Sequence, residues 1–236
     1  MKTILSALTV ITGLVFMASC IEEKAAPTTE IVVLRDITDK SKPKPNINEL
    51  TGLLGLKANS LQGAIVAVRN ISDVSYTSRH VAELLPENKW MVNEFERAKD
   101  IKKFSAEIAR LLAIETVDSG KAYSSIYLPL ARELNEISKS KSDKRILLIY
   151  SDLMENTPEL SFYRKEDFDL LKNQPDLLQK RLEKELLLNP LGGIEIHFIF
   201  QPKDNISDKR FQIISEFYKK MFEQRGATVI ISANLN

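Results

Sequence analysis

The sequence predicts an α/β fold: a doubly wound, mostly parallel six-stranded sheet with one antiparallel edge strand and helices on both faces. Three observations lead there. Continuous apolar runs without alternation, at residues 31–34 and 146–150, have the pattern of strands buried on both faces, and 194–200 is a third strand, apolar except for Glu195 and His197. Between them lie segments with apolar residues every three or four positions, the repeat of a helix packed on one side. The two kinds alternate along the chain, as parallel strands joined by crossover helices require.

Each element has its own warrant. The first strand, 31–34, is wholly apolar, and Lys42-Pro43-Lys44-Pro45 then makes a loop. Residues 46–56 form a short helix weakened by Gly52 and Gly55, and 64–68 the second strand. The stretches 74–76 and 79–85 mix polar residues and run into Pro86, which suits an edge strand. A long helix is expected over 88–113, with Met91, Phe95, Ala98, Ile101, Phe104, Ile108 and Leu111 as its buried stripe and Trp90 in the core beside it. Another covers 125–138, with Pro129 tolerated in the first turn. The strand 145–150, helical segments over 168–188 broken near Pro175, and the strand 194–200 follow. A helix over 208–225 stopped by Gly226 and a last strand 228–232 complete the order. Tyr218, Lys219 and Lys220 read as the polar flank of that last helix.

In an open parallel sheet, ligands bind outside the carboxyl ends of the strands. The first strand ends in Asp36-Ile37-Thr38 and the later strand 146–150 in Ser151-Asp152, so two turns deliver oxygen-bearing side chains to one edge.

Composition removes several classes of function. The formal charge of +1 comes without a basic stripe interleaved with aromatics, so no nucleic-acid surface is expected; the densest basic run, 139–145, reads as a solvated loop. There is no Gly-x-Gly-x-x-Gly and no P-loop, hence no glycine cradle for phosphates, and no Gly-x-Ser-x-Gly elbow. His80 and His197 lack metal-ligand spacing, and His197 reads as a hydrogen-bonded sheet residue. The single cysteine, Cys20, permits no intramolecular disulfide.

Lys2, an apolar stretch over 4–17 and Ala18-Ser19-Cys20 make the charged, apolar and small-residue regions of a secretory signal, too short for the ~20 apolar residues of a spanning helix. Met17-Ala18-Ser19-Cys20 resembles the lipobox of bacterial lipoproteins, with Met17 in place of the usual Leu. That resemblance implies a covalent lipid on Cys20 and an exported chain anchored in the bacterial cell envelope, at the outer membrane. The expected organisation is a signal peptide over 1–19, the lipidated Cys and a polar tether over 20–30, and one domain over 31–236.

From residue 30 onward the order of elements resembles the von Willebrand factor A domain. That family carries a metal-ion-dependent adhesion site built on Asp-x-Ser-x-Ser after the first strand, a Thr before a later helix and an Asp after the fourth strand. By this resemblance Asp36, Thr38, Ser124 and Asp152 are the implied ligands of a Mg²⁺ ion, all of them the hard oxygen donors it takes. Lys40 departs from the motif, standing where its second hydroxyl belongs. Either its ammonium pairs with Asp36 or Asp152 and replaces the cation, or Ser41 supplies the hydroxyl after a one-residue shift. Glu155, three residues after Asp152, is either an acceptor supporting the site or a helix cap. In the family a partner's carboxylate completes the coordination, so the metal bridges two proteins and catalyses nothing.

The expectation is therefore a membrane-anchored, protein-binding lipoprotein, not an enzyme, whose partner is another protein. The alternatives are a phosphatase-type hydrolase with Asp36 as nucleophile, for which Thr38 stands where a second Asp is wanted, and a metal-free scaffold whose Asp, Ser and Thr residues only cap helices and turns.

Overall fold

The computed structural model describes residues 26–37, 44–71, 78–114 and 123–235. Its elements are β1 (Thr28–Asp36), α1 (Ile47–Leu54), β2 (Gly63–Ile71), β3 (His80–Leu84), α2 (Glu94–Ala113), α3 (Tyr127–Ile137), β4 (Lys144–Tyr150), α4 (Lys165–Asn173), α5 (Pro175–Glu183), β5 (Ile194–Ile199), α6 (Asn205–Glu223) and β6 (Thr228–Ser232). The six strands form one sheet in the order β3-β2-β1-β4-β5-β6. β3 is antiparallel to β2, and every other neighbouring pair is parallel.

Alternate residues along the central strands face opposite layers, as the two-residue repeat of a strand demands. Ile31 and Val33 join α1 and α2 on one side; Val32 and Leu34 join α3 and α6 on the other. Burial on both faces is why these runs show no alternation in sequence. From β1 the chain crosses to β2 in one direction, and from β4 it proceeds to β5 and β6 in the other, so the order reverses between β1 and β4. The carboxyl ends of two such strands are where open α/β sheets place their ligands.

α2 corrects the predicted stripe. Its helix begins at Glu94, after Asn93, whose side chain accepts from the N–H groups of Phe95 and Glu96. Residues before that cap form a turn in which the Asn88 side chain accepts from Trp90 N–H and its carbonyl from Met91 and Val92 N–H. Trp90 (81 % exposed), Met91 (81 %) and Phe95 (76 %) lie outside the core, and Ala98 is exposed too. The buried face instead runs Arg97, Ile101, Phe104, Ile108, Leu111. A buried arginine sets the phase of the first turn. Its guanidinium donates to the carbonyls of Ser60 (2.6 Å), Gln62 (2.7 Å) and Leu85 (2.8 Å), which turns Phe95 to solvent. At the other end of α2, Arg35 donates to the carbonyls of Leu112 and Ile114 and to Asn70 Oδ1. Two arginines thus fasten α2 along the sheet, from its amino edge to its carboxyl edge.

Pro175 opens α5 at its first turn, where its missing N–H costs nothing, and Gly226 ends the segment after α6 with a φ of 94°. His197 sits in β5 with Nε2 2.6 Å from Glu195 Oε1, the sheet residue expected. Tyr218 is the second correction: it is fully buried, stacked with Phe222 and edge-on to Phe198 and Phe217. α3 is held on the sheet by Glu133, fully buried and 2.6 Å from Arg69 of β2, with Arg79 bridging Glu133 and Glu30. No described helix is long and apolar enough to cross a membrane.

Candidate functional site

β1 and β4 pair as far as Arg35↔Tyr150, so the next residues, Asp36, which ends β1 still paired with Ile71 of β2, and Ser151, which follows β4, lie side by side. Both are buried, and Ser151 Oγ donates to Asp36 Oδ2 at 3.0 Å. The same Oγ accepts from Leu153 N–H at 2.9 Å, and Asp152 Oδ1 accepts from Met154 N–H at 3.1 Å. Each of these side chains thus bonds the backbone two residues on, the habit of Ser and Asp in turns. Between them Leu153 has a φ of 60°, a left-handed conformation costing a non-glycine residue of order 1–3 kcal/mol. The two side-chain bonds and the complete burial of the Leu153 side chain hold it there. Asp152, on the outer side of this turn, is half-buried.

The segment before α3 is tied to this loop. Ser124 N–H donates to the Asn156 carbonyl at 2.9 Å and Asn156 N–H to the Ser124 carbonyl at 2.8 Å. Ile126, at the cap position of α3, has no side-chain oxygen, and Glu155 supplies one from across the loop. Glu155 Oε2 accepts from the N–H groups of Ile126 (3.0 Å) and Tyr127 (2.8 Å). Burial pushes the Glu155 carboxyl up to about 7, against the opposite pull of those two N–H groups and the Ser125 hydroxyl.

The structure therefore joins Asp36 directly to Ser151, sets Asp152 beside them and ties Ser124 to the same loop through its backbone. The Ser124 hydroxyl is buried and has no hydrogen-bond partner among the described residues, so it bonds to neither aspartate. Thr38, Lys40, Ser41 and Cys20 lie outside the described residues. Ser151 was placed at this edge by sequence, but its bond to Asp36 was not foreseeable without knowing that β1 and β4 are neighbours.

Next to Asp152 a cleft of about 220 Å³ opens between the loop after β4 and the start of α6. Met154, Phe200, Phe211 and Arg210 line it, and the exposed side chains of Tyr163 and Ile206 border it. Asp204 also faces the cleft, but its carboxylate accepts from the Ile206 and Ser207 N–H groups in a capping box, which holds it below the usual carboxylate range. The Asp204-to-Ser207 spacing was the one signal in the sequence for this wall of the cleft.

Among the described residues, no three His, Cys, Asp or Glu side chains gather in a group suited to a metal. The donors present are two carboxylates, Asp36 and Asp152, and two hydroxyls, Ser124 and Ser151. This is a set that suits Mg²⁺ with water completing the shell, and the partnerless Ser124 hydroxyl is an oxygen such an ion would use. No protein-family model and no curated protein matches this sequence.

Proposed function

We propose that this chain is a lipid-anchored module that binds another protein through the loops at the carboxyl edge of its sheet. The observation that carries the reading is the Asp36–Ser151 contact at the reversal of strand order, with Asp152 and the Ser124 segment alongside. Ligand crevices of open α/β sheets lie at that place. The strand order, with one antiparallel edge strand, also supports the likeness to von Willebrand factor A domains.

In this reading Asp36, Asp152 and Ser124 would hold a Mg²⁺ ion, with Thr38 a further ligand. Such an ion would supply a Lewis-acidic position for an acidic side chain of the partner. The protein's own residues orient the site: Ser151 fixes the Asp36 carboxylate, and Glu155 fixes the segment bearing Ser124. A hydrolase using Asp36 as nucleophile is disfavoured by the same contact. That carboxylate is buried and already accepts a hydroxyl, whereas a nucleophile must reach its substrate.

The cleft beside Asp152 favours a second reading, a metal-free contact in which Tyr163 and Ile206 meet the partner and Lys40 replaces the cation. Calorimetric titration of Mg²⁺ and Mn²⁺ separates the two. Saturable heat, abolished in Asp36→Ala, is the expected result. Silence in the wild-type chain would move the contact to the cleft.

A further inference from the structure

We propose that Leu85, Trp90, Met91 and Phe95 form a membrane-seating patch. They enter the interfacial layer of the bilayer from which the chain hangs by Cys20. This rests on the lipid-anchored reading above.

Four large apolar side chains are turned to solvent within eleven residues: Leu85 (68 % exposed), Trp90 and Met91 (81 % each) and Phe95 (76 %). They are held there by built structure, not left over at a frayed end. Asn88 shapes the turn that presents Trp90 and Met91, Asn93 caps α2, and buried Arg97 fixes the helical phase that turns Phe95 outward. Exposed apolar residues gathered in one place mark an interaction surface, and Trp with neighbouring Phe, Met and Leu suits the boundary between headgroups and acyl chains.

The chain's own course says which surface it is. β3 runs antiparallel and ends opposite the start of β2, with Leu84 against Ala64, which in turn pairs with Thr29 of β1. Glu87 N–H donates to the Leu61 carbonyl and Gly63 N–H to the Pro27 carbonyl. The turn 85–91 therefore lies at the amino edge of the sheet, where the chain arriving from Cys20 joins β1. Residues 20–27 reach at most about 27 Å when fully extended at ~3.4 Å each. A lipid on Cys20 keeps the bilayer within that reach of the edge bearing the patch. The asparagine-shaped turn and the first turn of α2 then meet the membrane, and the edge carrying Asp36, Ser151 and Asp152 faces away from it.

Charge beside the patch does not select an anionic membrane. Lys89 and Lys99 lie among Glu87, Glu94 and Glu96, the Arg97 guanidinium is buried against backbone carbonyls, and the basic run 139–145 on the same edge is interrupted by Asp143 and has Lys139 paired with Glu136. Burial of apolar area drives the seating, and a phosphatidylcholine surface is sufficient.

Trp90 is the only tryptophan in the sequence, so its fluorescence reads the patch alone. The acylated full chain is reconstituted into phosphatidylcholine vesicles carrying brominated or ordinary acyl chains. The expected result is blue-shifted emission, quenched by the bromines and protected from aqueous iodide. In Leu85→Glu/Met91→Glu/Phe95→Glu the chain still floats with the vesicles, but bromine quenching falls by about tenfold. Phosphatidylglycerol changes the wild-type quenching by less than about twofold.

Solvent-type emission with full iodide access in the wild-type chain would overturn the seating. So would emission shielded from iodide but untouched by brominated lipid, which would mean that protein covers the patch. Incorporation of a labelled fatty acid, lost in Cys20→Ala, reads the anchor separately. A labelled chain with solvated Trp90 overturns the seating alone, and an unlabelled chain overturns both.

Discussion

The two edges of the sheet are finished in opposite ways. At the carboxyl edge, polar side chains turn inward: Asp36, Ser151, Ser124 and Glu155 are all buried, and three of them are bonded to neighbouring loops or backbone. At the amino edge apolar side chains turn outward, and a buried arginine takes the place they would have filled. Buried polarity costs folding free energy unless its partners are placed, and exposed apolar surface gives up the gain of burial. At the carboxyl edge the partners are placed for Asp36, Ser151 and Glu155, so the exposed apolar side chains of the amino edge are the departure from the usual rule.

The largest effect expected from breaking this contrast lies at the amino edge. Arg97→Ala leaves the Ser60, Gln62 and Leu85 carbonyls without their donor and is expected to cost about 3–5 kcal/mol in urea unfolding. Lysine at this position recovers less than half, because its three N–H donors diverge from a single nitrogen and cannot span carbonyls that are met by three separate nitrogens of the guanidinium. Arg35→Ala, at the carboxyl end of α2, removes donors from a half-buried position where water can substitute, and should cost about 1–3 kcal/mol. A reversal of that order would mean that α2 is fastened mainly at the carboxyl edge.

Glu155 gives the next effect, with a pH dependence. Its carboxyl titrates near 7 when folded against an ordinary 4.5, so between those values the native state holds a proton that the unfolded chain has lost. Its contribution to stability is therefore full below about 4.5 and is lost as pH rises through about 7. Glu155→Gln keeps an acceptor for Ile126 and Tyr127 without the charge, and should flatten the change in stability between pH 5 and pH 8. Glu155→Ala should cost about 1–2 kcal/mol at pH 5 by uncapping α3. Thermal unfolding at the two pH values reads both variants.

Ser151→Ala sharpens the comparison further. Losing the hydroxyl that fixes Asp36 should cost about 1 kcal/mol of stability but weaken Mg²⁺ affinity by roughly tenfold, seen as a higher calorimetric Kd. The smallest effect belongs to the patch. Phe95→Ser and Met91→Ser should change unfolding free energy by no more than about 0.5 kcal/mol, since neither side chain is packed. A larger loss would put these residues back in the core.

Much of the fold was legible because its signals are local. The short apolar runs 31–34 and 146–150 are buried strands, Pro175 opens a helix, and Gly226 closes the turn that follows α6. The phase of α2 was not legible, because Arg97 is satisfied by carbonyls 12 to 37 residues earlier in the chain, and hydropathy alone counts arginine as surface. Tyr218 misled for a related reason, a polar atom on a side chain whose ring packs among three others. Of the candidate site, the aspartates could be placed at one edge by strand ends, whereas the tie between Ser124 and Asn156 is a pairing across 32 residues with no local mark.

The contrast between the edges is tested most directly by hydrogen–deuterium exchange of the acylated chain on phosphatidylcholine vesicles, with and without Mg²⁺. The account predicts two separate zones of protection. Mg²⁺ slows exchange in 124–127 and 151–156, and the membrane slows it in 85–97, neither altering the other. Protection by Mg²⁺ at the amino edge, or none at the loops beside Asp36 and Ser151, would contradict it.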